Sequence, residues 1–168
     1  LYTPSVNAQR AQPEAYVVEG KTKITFYYDA NRASRKGKVW SITDTRVATD
    51  ENEGDNEEEN ATRAAAENKP RIPAWAGTES DAKDDITQVV FDASFKNYRP
   101  TSTKQWFFHL AGIEKIKGLE NLNTEEVTNM SEMFLGGEGF ETLDLQNFNT
   151  SKVTNMSGMF KGCYSLTS

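Results

Sequence analysis

One eight-residue string occurs twice in this sequence with a single difference, and it limits the folds that the chain can adopt. VTNMSEMF occupies residues 127–134, and VTNMSGMF occupies residues 153–160, 26 positions later. Extended backwards to 121–134 and 147–160, the two copies agree at ten of fourteen positions. A unit this short cannot bury its own apolar side chains, whereas stacked copies can cover one another. The repeat therefore predicts consecutive coils that stack in chain order.

Each coil is predicted to hold a short strand and a short helical segment. Val, Met and Phe recur at i, i+3 and i+7, which is the spacing of one helix face, and the helical turns should end at Gly162. Upstream, LDL (143–145) alternates as a strand does, with Asp144 facing outwards. The sequence thus predicts an α+β fold, a short solenoid with a strand and a helical turn in each 26-residue coil. The residues predicted to form the core of the repeats are Val127, Met130, Met133, Phe134, Leu143, Leu145, Phe148, Val153, Met156, Met159 and Phe160.

A degenerate third copy precedes the two clear ones. With an offset of 26, Phe108 aligns with Phe134 and Phe107 with Met133. Terminal repeats are usually atypical because they seal the stack. We therefore assign residues 86–118 as a sealing coil and 119–168 as regular repeats, which makes 86–168 the solenoid.

The N-terminal half has no repeat of its own and predicts a small β-rich cap at 16–85. Alternation on both sides of Gly20 predicts a hairpin over 16–29, and KVWSI (38–42) predicts a third strand. Trp75 is expected to pack under the hairpin. Residues 1–15 are predicted to form a tail.

An acidic insertion at 47–69 interrupts the cap. Its stretch at 50–59 holds seven carboxylates and accounts for the net charge of −6, since the rest of the chain has 19 bases and 18 acids. Two alternatives stay open for it, a solvated loop and a weak cation site, although the EF-hand template fails. Nothing forms a basic face with interleaved aromatics, which argues against nucleic-acid binding. No apolar run is long enough to span a bilayer.

The sequence has one histidine and one cysteine, and the neighbours of both indicate structural roles. His109, the only histidine, lies beside three aromatic residues, and Cys163 follows Gly162 in a tight turn. Asn129 and Asn155 are expected to stack as a ladder that satisfies backbone groups from coil to coil. The sequence shows no motif for a cofactor, a metal site or a catalytic nucleophile, so we expect a protein that is not an enzyme.

The repeat also carries a family resemblance. LDLQNFNTSKVTNMSGMFKGCYSLTS (143–168) resembles one repeat of the BspA-like leucine-rich-repeat surface proteins of Bacteroidales and other host-associated microbes. The stretch that begins FDASFKNYRP (91–100) and the hairpin region are similar to the segments that precede the repeats in that family. The resemblance implies a leucine-rich-repeat solenoid that is secreted or anchored at the cell surface, where some relatives bind host matrix proteins or other bacteria.

Two departures from that family are evident. Gly137 and Gly139 stand where the family commonly has a cysteine-containing step, and the acidic insertion is long. The chain begins at Leu1 without Met, which suggests a processed or trimmed chain. It stops at Ser168, just before another strand is due, so we expect further sequence or a partner to cover that edge.

The favoured functional hypothesis is an adhesin-like interaction protein that binds a protein or glycan on host or neighbouring cells. Outward residues of successive coils would form its ligand face, namely Lys117, Glu120, Thr142, Asp144 and Gln146. The alternative is a structural subunit that self-assembles through its open strand edge into a filament or surface layer. A hydrolase is the third hypothesis, and it would require two carboxylates across a cleft about 5–10 Å apart.

Overall fold

The computed structural model describes residues 11–48 and 70–168. The tip of the predicted N-terminal tail, most of the acidic insertion and the Ala-rich stretch after it lie outside these residues. The strands are β1 (Glu14–Glu19), β2 (Lys23–Asp29), β3 (Lys38–Ser41), β4 (Thr45–Val47), β5 (Arg71–Pro73), β6 (Gln88–Phe91) and β7 (Lys115–Lys117). Among the described residues, the helical elements are three 3-10 helices, Arg32–Ser34, Ala93–Asn97 and Leu119–Asn121.

Two sheets organise the described residues. The larger has five strands in the order β3-β1-β2-β6-β7, and the smaller joins β4 to β5. β1 and β2 form an antiparallel hairpin in which Val17 lies opposite Phe26, and β3 adds antiparallel to β1. β2, β6 and β7 run parallel, with Ile24 beside Val89 and Val89 beside Ile116. The predicted hairpin and third strand are therefore confirmed, although β1 begins at Glu14, inside the predicted tail.

The predicted fold class is wrong. Within residues 11–48 and 70–168 there is no α-helix, and the regular structure is mostly β-sheet. The segments predicted to be helical form hydrogen-bonded turns that are not part of any helix. Residues 143–145, which were predicted to be a strand, have no regular structure. The chain does not close into the strand-plus-helix coils of a leucine-rich-repeat solenoid.

The repeats nevertheless stack as three layers, which we define as layer 1 (100–109), layer 2 (127–136) and layer 3 (153–162). Isolated parallel bridges join Ser102 to Asn129 and Asn129 to Asn155. Four N–H groups of layer 1 donate to carbonyls of layer 2 over 2.8–3.1 Å, and four of layer 2 donate to layer 3 over 2.8–2.9 Å. The donors are Thr103, Gln105, Phe107 and His109 in layer 1, and Met130, Glu132, Phe134 and Gly136 in layer 2.

This ladder explains why no helix forms. In layer 2, the N–H groups of Met133 and Leu135 donate to carbonyls three residues back. The alternate N–H groups, those of Glu132, Phe134 and Gly136, donate to carbonyls of layer 3. Glu132 (φ 55°) and Gly136 (φ 74°) adopt the left-handed conformation, which a right-handed helix excludes. A side-chain spacing of i, i+3 and i+7 fits this alternating turn as well as it fits a helix.

The register of layer 1 differs from the predicted one by a residue. Phe107, not Phe108, lies against Phe134, with ring centroids 5.1 Å apart. The left-handed residues agree, since Gln105, Glu132 and Gly158 occupy equivalent positions with φ of 59°, 55° and 62°. Layers 1 and 2 are thus offset by 27 residues and layers 2 and 3 by 26.

One apolar core runs from the hairpin into the layers. Phe26 is fully buried and contacts the rings of Trp75, Phe91 and Trp106 at centroid distances of 5.7, 4.6 and 5.3 Å. The prediction that Trp75 packs under the hairpin is therefore confirmed. Its indole Nε1 also donates to the carbonyl of Trp106 (2.8 Å), and the N–H of Gly77 donates to the carbonyl of Phe108 (3.0 Å). These bonds satisfy two layer 1 carbonyls that no preceding layer reaches.

Candidate functional site

A polar groove of about 310 Å³ is formed by the segments that precede the three layers. We call it the amide groove because asparagines dominate its lining. Its lining residues are Lys96, Glu120, Asn121, Leu122, Asn123, Thr124, Glu125, Asn147 and Asn149.

Local hydrogen bonds hold the walls of this groove in place. The buried Thr124 hydroxyl accepts from the N–H of Asn149 (2.7 Å) and donates to its carbonyl (3.1 Å). The Oδ1 of Asn123 accepts from the N–H of Glu125 (2.9 Å), and Asn121 Nδ2 donates to the carbonyl of Phe91 (3.2 Å). The groove walls are therefore tied to each other and to β6.

The groove presents mixed hydrogen-bonding groups. Lys96, Glu120 and Asn147 are exposed. Asn149 accepts from the N–H of Ser151 through its Oδ1 (3.0 Å), which leaves its amide NH2 able to donate outwards. Amides, a carboxylate and an ammonium together suit a ligand rich in hydroxyl, amide or charged groups.

The predicted ligand-face residues do not converge on one cleft. Lys117, Glu120, Thr142, Asp144 and Gln146 are all exposed, but only Glu120 lines the amide groove. Asp144 Oδ1 accepts from the N–H of Gln146 (3.0 Å), so this pair forms a local turn where a strand was expected. The groove asparagines carried a sequence signal of their own, because NLNT (121–124) and NFNT (147–150) repeat them.

The predicted core residues are buried in layer 2 and increasingly exposed in layer 3. Val127, Met130, Met133 and Phe134 are fully buried, and Met159 is 4% exposed. Leu143, Leu145, Phe148 and Val153 are partly buried against the same core. Met156 and Phe160 are 46% and 40% exposed.

Exposure in layer 3 defines a second surface, the end face, formed by residues 154–162 on the side away from layer 2. The rings of Phe134 and Phe160 stack at 5.6 Å and 3°, and the other side of Phe160 is uncovered. Four N–H groups of the end face have no acceptor in the described part of the chain: Met156, Gly158, Phe160 and Gly162.

The asparagine ladder has a different structure from the one predicted. Asn129 Oδ1 accepts from both the N–H and the hydroxyl of Ser131, at 2.9 and 2.7 Å, and Asn155 binds Ser157 in the same way. At these two positions the main-chain carbonyl, not the side chain, accepts the backbone bond from the preceding layer. Each asparagine side chain therefore shapes its own turn.

His109 in layer 1 and Cys163, directly after layer 3, are both partly buried. Burial lowers the pKa of His109 although Glu79, Glu138 and Glu132 oppose this, and burial raises the pKa of the Cys163 thiol. Cys163 Sγ donates to the carbonyl of Phe134 (3.1 Å). Among residues 11–48 and 70–168, no three His, Cys, Asp or Glu side chains are grouped to hold a metal ion.

A larger cleft of about 990 Å³ lies near the hairpin turn, between residues 19–22, 37–38 and 81–86. The ion pair between Lys83 Nζ and Glu19 Oε1 (2.5 Å) belongs to its lining. Its other charged residues are of both signs, so the cleft favours no single class of ligand.

The part of the chain that contains the three layers is similar to a known protein family. Residues 100–168 match a family described as "Mycoplasma protein of unknown function, DUF285". Comparisons with curated proteins and with solved structures give no match. In the described residues, no helix combines the length and the apolar character that a membrane span requires. The similarity to this family thus covers all three layers and β7, and it leaves out β1 to β6.

Proposed function

We propose that this chain is a secreted or cell-surface interaction protein that binds a protein or glycan on host or neighbouring microbial cells. The amide groove is the proposed contact surface. The observation that carries the proposal is the set of eleven backbone hydrogen bonds between the layers, namely the eight of the alternating ladder and three donated by Thr128, Thr154 and Asn155. These bonds fix the spacing between the segments that lead into successive layers and line the groove, and such preorganisation lowers the entropy lost on binding.

Two further features support this proposal. The family match at residues 100–168 contains every lining residue of the groove except Lys96, and the repeat sequence resembles BspA-like surface proteins. In addition, the Thr124 bonds to Asn149 link segments from consecutive repeats directly beside the groove. A ligand that spans both repeats would meet a surface that is already ordered.

Binding to candidate cells and molecules tests the proposal. The chain would be titrated against fixed epithelial and bacterial cells, immobilised matrix proteins and a glycan panel. We expect saturable binding that falls at least about tenfold when Lys96→Ala and Asn147→Ala are combined, since each lost hydrogen bond to a charged or polar group weakens binding by about 1 kcal/mol or more.

A matched control separates the groove from charge alone. Lys36 is also exposed but is absent from the groove lining, so Lys36→Ala should leave binding unchanged. Lack of saturable binding to every probe, or equal losses in the groove and control variants, would contradict the proposal.

A second candidate function, self-assembly into a filament or layer, has support and an obstacle. The exposed Phe160 ring and the free N–H row of the end face favour a partner there. Two copies that met through their end faces would, however, oppose donors to donors. Molar mass measured by light scattering over a concentration series tests this function, and a constant monomer mass would exclude it.

A further inference from the structure

The layers have a hydrogen-bond polarity that runs along the stack. Over residues 103–109, 130–136 and 156–162, alternate N–H groups point towards the next layer, and alternate carbonyls accept from the preceding layer where there is one. The direction is reversed only at the start of the layers, where the N–H of Thr128 donates to the carbonyl of Thr101 and the N–H groups of Thr154 and Asn155 donate to the carbonyl of Thr128. In layer 3 the carbonyls of Asn155, Ser157, Met159 and Lys161 are occupied by layer 2. The N–H groups that point the other way belong to Met156, Gly158, Phe160 and Gly162.

Over residues 156–162 the end face is therefore a row of donors, and at its start the carbonyl of Thr154 is an acceptor. The carbonyls of the donor residues Met156, Gly158 and Phe160 are not free to accept from a partner. Each already accepts from the N–H three residues later in the same chain segment. An exposed row of unpaired backbone groups is a template for pairing. Here the template requires a partner that presents carbonyl groups at every second residue.

The side chains of the layers restrict further which partner segment fits the end face. The Phe107, Phe134 and Phe160 rings form a stack with spacings of 5.1 and 5.6 Å, which a fourth ring would extend. Thr128 and Thr154 each donate their hydroxyl to the threonine carbonyl one layer back, at 3.3 and 3.2 Å. The carbonyl of Thr154 would accept in the same way from a threonine of the partner.

Charge alternates along the same direction. Arg99 Nε lies 3.8 Å from Glu125 Oε2, and Lys152 Nζ lies 2.6 Å from Glu126 Oε1, so basic, acidic and basic residues follow each other in the segments that lead into layers 1, 2 and 3. An acidic residue placed over Lys152 would continue the series. A second basic residue there would repel it.

We propose that the end face binds a repeat segment of the same type, with the sequence V-T-N-M-S-x-M-F and an acidic residue at the position equivalent to Lys152. Such a segment supplies the alternate carbonyls, the threonine hydroxyl, the aromatic ring and the charge that the face lacks. A second copy of this chain does not fit. In that copy, layers 2 and 3 already use these carbonyls in its own ladder, and Trp75 and Gly77 occupy two of those in layer 1.

Amide hydrogen exchange measured by NMR tests the proposal. A copy of residues 143–168 would be appended after Ser168, with Glu in place of the copied Lys152. The amides of Met156, Gly158, Phe160 and Gly162 should exchange quickly in the original chain. In the extended chain they should become protected by roughly 100-fold or more.

Three comparisons make the result decisive. An extension with a scrambled sequence should leave the four amides unprotected, and an extension that keeps Lys should protect them less than the Glu version does. The same repeat added as a free peptide should shift the resonances of these four amides and leave those of the hairpin unchanged. Protection of Met130 and Phe134 amides in every chain would show that layers 1 to 3 remain folded.

Several outcomes would overturn the proposal. The four amides could stay unprotected in the Glu extension while layer 2 remains folded, or the scrambled extension could protect them equally. Equal protection by the Lys and Glu extensions would remove the acidic requirement. Protection that grows with concentration in the original chain, together with a doubled molar mass, would identify a second copy as the partner instead.

Discussion

The rings of Phe134 and Phe160 lie 5.6 Å apart and within 3° of parallel, one repeat apart in the sequence. Phe134 is fully buried because Phe107 covers its other side, whereas Phe160 remains 40% exposed. Equivalent residues in nearly identical octapeptides thus occupy different environments. Position in the stack, not local sequence, sets the burial of each copy.

Truncation of these two rings should therefore have unequal effects. We expect Phe134→Ala to lower the free energy of unfolding by about 3–5 kcal/mol, because a fully buried ring leaves a cavity between its neighbours. Phe160→Ala should cost about 1 kcal/mol, since much of that ring already contacts water. Urea denaturation followed by circular dichroism measures both. Equal losses would show that the rings are equally buried in solution.

Glycine at 136 should be required for close packing as well as for its backbone conformation. Gly136 has φ of 74°, and a Cβ there would lie 2.5 Å from His109 Nδ1. Gly136→Ala should therefore cost about 2 kcal/mol or more, from the left-handed backbone and the clash together.

Gly158→Ala is the matched control for this change. Gly158 has φ of 62°, but its added Cβ would meet the flexible Glu132 Cγ at 3.3 Å. Gly158→Ala should lower the free energy of unfolding by only about 1 kcal/mol, which is the cost of the left-handed backbone conformation for alanine. Thermal unfolding compares the two variants, and a larger loss for Gly158→Ala would contradict this account of Gly136.

The indole of Trp75 should matter for its hydrogen bond as well as its bulk. Trp75→Phe leaves the buried Trp106 carbonyl without its donor, so we expect a loss of about 2 kcal/mol in urea denaturation. Trp40→Phe is the control, because Trp40 donates to Glu19 (2.9 Å) at a partly exposed site. That variant should lose about 1 kcal/mol or less. A Trp75→Phe variant as stable as the control would argue against a role for this bond.

Alkaline pH should destabilise the protein through Tyr16. Burial, followed by the hydrogen bond to Asp29 (2.5 Å), raises the pKa of Tyr16 from 10.0 to about 12. The folded state thus holds the proton more tightly than the unfolded state. Below pH 10 the phenol is protonated in both states, so its full contribution to stability is present. Stability falls as pH rises from 10 to 12, because only the unfolded chain then releases the proton.

Replacement of this tyrosine by phenylalanine tests the assignment. Tyr16→Phe should be less stable at neutral pH, since Asp29 and Arg35 lose a partner, but its stability should change less between pH 10 and 12. Tyr164→Phe is the control because Tyr164 is 85% exposed. The urea midpoint of each protein would be measured between pH 10 and 12. If the midpoint of Tyr16→Phe fell with pH as much as that of the unmodified protein, the assignment to Tyr16 would be refuted.

The sequence predicted the elements whose signal is local. The alternation of Ile24 and Phe26 identified β2, and the turn at Gly20 placed the hairpin. The stacking of repeats followed from the octapeptides. The helix was wrong because the same apolar spacing fits turns whose alternate N–H groups bond to the next layer, and only the left-handed Glu132 and Gly136 distinguish the two.

Other features depend on distant residues and could not be predicted locally. The register of layer 1 was missed by one residue because Trp106, Phe107 and Phe108 are all aromatic, so either alignment matched bulk to bulk. The amide groove was largely missed because it is built from residues before each layer, such as Lys96 and Asn147, whereas the expected ligand face was placed on strands. Only Glu120 belongs to both.

The alternating ladder also constrains how such a chain can change length. One residue inserted between Met130 and Gly136 would turn the following donors away from layer 3 and break the remaining bonds, whereas the linking segments can absorb it. The 27- and 26-residue offsets show this tolerance, because the extra residue lies between layers 1 and 2 and leaves both ladders intact. Insertions and deletions in related sequences should therefore accumulate in the linkers, and the octapeptides should vary by substitution alone.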